Sequence, residues 1–355
     1  MLDVSHAILR DPSDRDLRRV DAHPDHWYPL AWSRDVKLNK PYAAHFAGQP
    51  IVLVRPKGGP VFALEDRCAH RQVPLSEGVV TGCALRCCYH GWTYDAAGTC
   101  IDVPYLGKRK RPNGVRAYPC REQDGLILVW PGDPQRMTEP GPLGAASDPR
   151  FKTRRFGQEV RCHYTFMHEN LMDMNHQFLH RRHMGQIAPR YLGRRAGADW
   201  LEIDYSFART GGKQPLGEAV ILGHRPSLPD APVHRDLMTI RTEYPHQTLR
   251  IWTSGDEPVM HLWIGYTPVD AEQRLNRTFG LLSIRRPKIP GLLDLAWPAL
   301  IWFTNRIFAE DRKIVELEQA AHDSQGADWN QEVFPPIREL RALLAANGQT
   351  SDGTA

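Results

Sequence analysis

The chain has 355 residues, with 45 Lys and Arg against 41 Asp and Glu, a formal charge of +4. Apolar residues make up 41% and charged residues 24%, an ordinary globular composition that excludes wholesale disorder and suggests two domains at roughly 150 residues each. So small a charge, without a concentrated basic face, argues against nucleic-acid binding; residues 1–19 lack the apolar core of a secretion signal, and the longest apolar run, residues 295–303, falls far short of the ~20 that span a bilayer.

In chain order, residues 49–55 and 60–65 are short apolar runs joined by Lys57, Gly58 and Gly59, a hairpin signature. Residues 82–87 and 92–94 continue as strands, and residues 125–130 form a buried strand stopped by Pro131 and Gly132. Residues 134–149, rich in Pro and Gly, read as a linker. Residues 169–183 contain neither Gly nor Pro and read as a helix. Four strands follow over 238–244, 248–252, 259–266 and 278–285, divided by turn residues, so an antiparallel sheet is expected. Helices are expected over 301–321 and 335–345. There is no βαβ rhythm, internal repeat or Gly-rich phosphate loop. The chain therefore reads as α+β: an all-β domain over 26–133, then a domain over 150–346 with an antiparallel sheet flanked by helices.

Five of the seven cysteines fall between residues 68 and 100. An odd count argues against a stapled secreted domain; clustered thiols in a cytoplasmic protein, the expected location, point to metal or redox chemistry. Cys68-Ala69-His70 is followed, after sixteen intervening residues, by Cys87-Cys88-Tyr89-His90-Gly91-Trp92. Each half brings one thiolate and one imidazole from a tight loop. A Rieske [2Fe–2S] centre needs that asymmetric set, because two His replace two Cys on one iron. A Cys2His2 zinc site is the alternative, although zinc knuckles place two to four residues between paired ligands. Cys83, Cys100, Cys120 and Cys162 read as small buried hydrophobes.

Further along, His176 and His180 stand one helical turn apart, with Asp173 a turn earlier. A mononuclear Fe(II) oxygenase needs two His and one carboxylate on one side, with positions left open for O2.

The cysteine–histidine pattern resembles the Rieske domain of non-haem iron oxygenases, and residues 173–183 resemble the Asp-x-x-His-x-x-x-x-His motif of the same family, as in vanillate O-demethylase-type monooxygenases. The resemblance implies that Cys68 and Cys87 hold one cluster iron and His70 and His90 the other. It also implies a mononuclear Fe(II) in a helix-grip-like second domain, with His176 as its first ligand. The position of the second histidine holds Arg181, which cannot ligate; His180 comes one residue early and His183 two late. His180 is preferred, His183 is the fallback, and His163 and His168 stand behind them. Residues 309–319 resemble the segment carrying the third ligand, which assigns Asp311, with Glu310 as runner-up. By the same resemblance Asp173 hydrogen-bonds His176 and reaches His90 of the next subunit, an electron bridge that implies a homotrimer.

The activity so implied is that of a terminal oxygenase using O2 to hydroxylate or demethylate an aromatic or polycyclic substrate. Its electrons would come from NAD(P)H through a separate flavin/ferredoxin-type reductase, since no dinucleotide fingerprint is present. The basic run 108–111 reads as a solvated loop or a reductase docking site. The substrate pocket is expected under the C-terminal sheet, whose strands carry Trp252, Trp263 and Tyr266 as either lining or core, with residues 295–303 as its cover. Two other readings stay open: a Rieske electron carrier whose second domain binds a partner, and a zinc-stabilised binding module.

Overall fold

The computed structural model describes residues 16–106, 114–225, 236–253 and 256–350; the basic run 108–111 lies outside them. The first part of the chain folds into three small antiparallel sheets. Strands Tyr28–Trp32, Cys120–Gln123 and Leu126–Val129 form one, and Tyr42–Phe46, Gln49–Val54, Phe62–Glu65 and Ala117–Tyr118 a second. The third, Val79–Thr81, Ala84–Arg86, Thr93–Tyr94 and Cys100–Asp102, packs on one face of the second through a core of Val52, Leu64, Leu75, Leu85, Trp92 and Tyr94.

The second part is built on one eight-stranded antiparallel sheet. Its order runs Phe151–Phe156, Asn276–Arg285, Met260–Pro268, His246–Trp252, Asp236–Glu243, Trp200–Gly211, Gln186–Ala196, with the short strand Glu159–Val160 also on Asn276–Arg285. Helices α1 (Tyr164–Met172), α2 (Arg181–Met184), α3 (Leu216–Leu222), α4 (Leu292–Gln325) and α5 (Pro335–Asn347) complete it. None of the described helices is long and apolar enough to cross a membrane.

Strand alternation decides what each face of this sheet meets. Leu262, Ile264 and Leu282 point into a core shared with Met172, Leu300 and Leu340 of the helices. Trp263 and Leu281 point the other way, into a cluster with Trp27, Trp32, Leu126 and Trp130. The sheet is thus clamped between its helices and the all-β part, and burying Trp263 there contributes about 2–3 kcal/mol. Polar contacts fix the register of the two parts: His246 Nε2 lies 2.8 Å from the Trp27 carbonyl, and Thr267 Oγ1 donates to Pro29 O at 2.7 Å.

Four expectations change. Residues 169–183 are not one helix: α1 stops at Met172, a 3-10 turn spans Met174–Phe178, and α2 follows. The break falls at Asp173, whose carboxylate caps the next turn by accepting from Asn175 N; an Asp that bonds its own backbone favours a cap over a helix interior. Helix α4 starts nine residues before 301 and contains Pro298. The carbonyl that this proline leaves without a donor belongs to exposed Asp294, where water can serve it. Strands Gln186–Ala196 and Trp200–Gly211 were not anticipated; Pro189 hid the first, and its place at the sheet edge is where proline is tolerated. Residues 134–149 are packed rather than a free linker, with Leu143 buried in the Trp263 cluster.

His168, on α1, is fully buried with its ring 4.7 Å from that of Tyr266. Burial, reinforced by nearby His246, pushes its pKa down to about 3. A base depressed in the folded state stabilises the fold above its unfolded value near 6.5 and loses that contribution as pH falls. Between pH 7 and pH 5 this one group should cost about 2 kcal/mol. In urea titrations of His168→Leu, the loss between those pH values is expected to shrink by that amount, whatever the variant's absolute stability.

Candidate metal centres

The two cysteine–histidine loops face each other at the tip of the third small sheet. Cys68 N–H donates to Val73 O at 2.9 Å and Cys87 N–H to Trp92 O at 2.8 Å, so each loop closes on its own backbone. Gly91, at φ +73°, makes the left-handed turn after His90, and a Cβ there would sit 3.1 Å from Pro104. The Cys68 and Cys87 side chains are buried in the local core, while the His70 and His90 rings lie outward with centroids 4.5 Å apart. Trp92 stacks flat on His70 at 4.8 Å and 4°. His70 Nδ1 is buried with no hydrogen-bond partner, and burial pushes the Cys87 thiol up, so both groups lack what a bound cation supplies. Two sulfurs inside and two imidazoles outside fit a [2Fe–2S] cluster better than one tetrahedral ion. Sequence reasoning missed Tyr94: its hydroxyl accepts from Ala69 N–H at 3.1 Å and lies 3.3 Å from Cys68 Sγ. Toward a thiolate it is the donor, a contact that tunes cluster potential. Cys100 and Cys162 are buried and Cys120 largely so, but Cys83 and Cys88 are exposed, which corrects the reading of Cys83 as a core residue.

The second cluster forms where the broken helix meets α4. His176, His180 and Asp311 bring ligand atoms within 4.8 Å of one another. His176 Nδ1 donates to the main-chain oxygen of Asp173, which leaves Nε2 free, 3.7 Å from Asp311 Oδ1. His180 Nδ1 donates to Glu310 Oε2 at 2.9 Å, and its Nε2 lies 3.1 Å from the same Asp311 oxygen. That oxygen is buried without a good hydrogen bond, an acceptor left for a cation. Burial lowers the His176 pKa against the pull of Asp311. At His180 burial also opposes charge, but the carboxylates of Asp311 and Glu310 outweigh it and raise the pKa. The donor set is two imidazoles and one carboxylate converging from one side, the arrangement that suits a ferrous ion with open positions.

Each remaining candidate has a different place. His183 Nε2 lies 3.4 Å from Glu310 Oε1 and is not among the three converging ligands. Glu310 stands behind His180 and orients it. His163 caps α1, and His168 packs on Tyr266. The Asp173 carboxylate does not bond His176 as expected; it accepts from Asn175 N at 2.8 Å and Asn175 Nδ2 at 2.7 Å, and only its carbonyl reaches His176.

The trio lies in the wall of an apolar cavity. Met184, Met238, Met260, Leu262, Phe207 and Phe303 set its apolar character. Trp252 and Trp263 are not among its lining residues, and Tyr266 borders a smaller neighbouring cavity. Alternation explains the miss: Met260 and Leu262 face the cavity, so Trp263 faces the other domain. Of residues 295–303 only Phe303 lines it. Among the lining residues, Glu218 is the one carboxylate besides Asp311, and Arg209 Nη2 neutralises it at 2.5 and 2.6 Å.

Comparison with known proteins assigns a family model to each of the two parts of the chain. Residues 26–119 match the family model for the Rieske [2Fe-2S] domain, and residues 160–336 that for the vanillate O-demethylase oxygenase C-terminal domain. The 4beta-methylsterol monooxygenase of Methylococcus capsulatus is 29% identical over 94% of this chain and 90% of its own. The oxygenase component of dicamba O-demethylase from Stenotrophomonas maltophilia is 38% identical, over 44% of this chain and 47% of that one. The crystal structure of dicamba monooxygenase bound to dicamba shares the fold at a TM-score of 0.71 and 23% identity, covering 91% of this chain and 95% of that one. Two family models in succession, and a fold shared nearly end to end, make this chain a member of the Rieske non-haem iron oxygenases, an oxygenase component of the vanillate O-demethylase type.

Proposed function

We propose that this chain is the terminal oxygenase of a monooxygenase system that hydroxylates or demethylates an uncharged aromatic or polycyclic substrate, drawing electrons from NAD(P)H through a separate reductase. One observation carries the reading: His176, His180 and Asp311 converge on the wall of an apolar cavity. A ferrous ion held there supplies O2 activation, and a cluster at Cys68, His70, Cys87 and His90 supplies electrons one at a time.

The protein's own contribution is positional. The Asp173 carbonyl and Glu310 carboxylate hold the two imidazole rings with Nε2 facing inward. The methionine, leucine and phenylalanine walls exclude water and hold an apolar body against the trio. Because Arg209 cancels Glu218, the wall offers no spare charge to a charged substrate, which favours a neutral one.

The Asp173 bridge and the trimer form part of the same proposal. Tyr89 and Tyr105 are exposed beside the cluster loops, and Phe178, Trp329 and Val333 are exposed around the cleft that Asp173 lines. Two unlike apolar surfaces on one chain suit a head-to-tail contact, which closes into a ring.

The test is iron analysis of anaerobically reconstituted protein with reduced-state EPR, alongside NADH-dependent O2 consumption with a reductase supplied. About three irons per chain are expected, two in the cluster. A fully loaded cluster with no third iron would favour an electron carrier, and a colourless zinc protein would favour a binding module. Glu310→Gln is expected to weaken iron retention about 10- to 100-fold in chelator competition. His183→Ala should leave it nearly unchanged; iron loss in that variant would transfer the ligand role to His183.

A further inference from the structure

The helices between the cavity and solvent are apolar on both faces. Helix α3 turns Glu218, Ile221 and Leu222 to the cavity, yet its first residue, Leu216, is 69% exposed. Helix α4 turns Phe303, Thr304 and Ile307 inward, while Leu295 is 83% and Trp302 58% exposed on its outer side. Leu295, Pro298 and Trp302 repeat at i, i+3 and i+7, so they share one stripe. Leu292 extends it, and Ile289, just before the helix, is 65% exposed. An exposed apolar stripe on a helix whose opposite face already packs inward is left to meet a further apolar surface.

Cations border the stripe. Arg285 is exposed at the end of its strand and Arg286 and Lys288 in the loop before α4, the Lys152 ammonium lies 4.4 Å from the Trp297 ring, and Arg306 lies 5.5 Å from that of Trp302. Glu257 pairs with Arg285 at 3.0 Å, and Asp294 with Lys152 and Arg286, so the net positive charge of the rim rests on Lys288 and Arg306. The face is therefore apolar at its centre and positive at its rim. A second copy suits it poorly, because a two-fold contact would set the cationic rim against its own image. The proposed trimer surface lies at the other end: Leu295 is sixteen residues, about 24 Å, along α4 from Asp311.

We propose that this face docks on an anionic bilayer surface, with Leu295 and Trp302 at the boundary of headgroups and acyl chains. A membrane-dissolved substrate would then enter the cavity from the lipid side, a clause that rests on the oxygenase reading; the docking itself does not. Apolar side chains on one face with Lys and Arg around them are the features that drive interfacial binding, and anionic lipid strengthens it.

The test uses the full-length holoprotein in flotation with vesicles of phosphatidylcholine alone or with about one-third phosphatidylserine. Binding to the mixed vesicles is expected to exceed that to phosphatidylcholine by about tenfold and to fall with added salt. Brominated acyl chains should quench tryptophan fluorescence in the bound state. A Leu295→Asp, Trp302→Asp double variant should lose binding by about tenfold or more while keeping its thermal midpoint and Rieske spectrum, since both side chains are exposed. The proposal is overturned if the parent does not float, if the variant floats equally well, or if the variant instead changes the oligomer mass. Flotation by a protein that never takes up a third iron would sink the oxygenase reading and leave the docking intact.

Discussion

Replacing His176 with alanine is expected to reduce substrate turnover to background and bound iron from about three to about two per chain. The visible absorption and reduced-state EPR of the cluster should be unchanged, because Cys68, His70, Cys87 and His90 lie in loops on a core distinct from the one beneath His176. The His176 side chain is only 18% exposed, but it contributes little to the main core, so the fold should lose about 1 kcal/mol. Removing this imidazole leaves His180 and Asp311 as two donors, too few to retain a ferrous ion against buffer. A variant that keeps its third iron, or turns over at a tenth of the parental rate, would exclude His176 as a ligand.

Asp173→Asn separates charge from shape. Asparagine keeps a side-chain oxygen for the Asn175 N–H and keeps the main-chain oxygen that receives His176 Nδ1, so the turn and the ring should stay in place. Only the negative charge disappears. Iron content should stay at the parental level while turnover falls about 10- to 100-fold. In stopped-flow absorption, reduction of the cluster by its reductase should proceed normally, and reoxidation in the presence of substrate and O2 should slow. Normal reoxidation would reduce Asp173 to a cap and remove the electron bridge.

Much of this was legible in the residues. That the loops of Cys68, His70, Cys87 and His90 come together was readable because tight loops leave short fixed spacings. His176 and His180 were readable as a pair, but for an inexact reason: they lie across a 3-10 turn and its exit, and they converge because α4 approaches them. The choice between His180 and His183, and between Asp311 and Glu310, depended on which side of α4 faced the broken helix, and no local pattern encodes that. The strands at residues 186–211 were hidden by Pro189 and Gly193, and their stability comes from pairing across the sheet. The cavity lining was misread because aromatic residues drew attention to Trp252 and Trp263, while the walls use methionine and leucine, which are common everywhere.

Glu310 and Asp311 are consecutive, and consecutive helical positions point about 100° apart. One of them addresses the outer nitrogen of His180 and the other its inner nitrogen. The long helix therefore works as an indexed shaft whose angular setting is fixed upstream, where Leu300 and Phe303 seat in the body of the protein. Inserting or deleting a single residue between Phe303 and Glu310 would swing both carboxylates past their targets together. Length variation in that short interval is consequently forbidden, although its outward side chains are free to change.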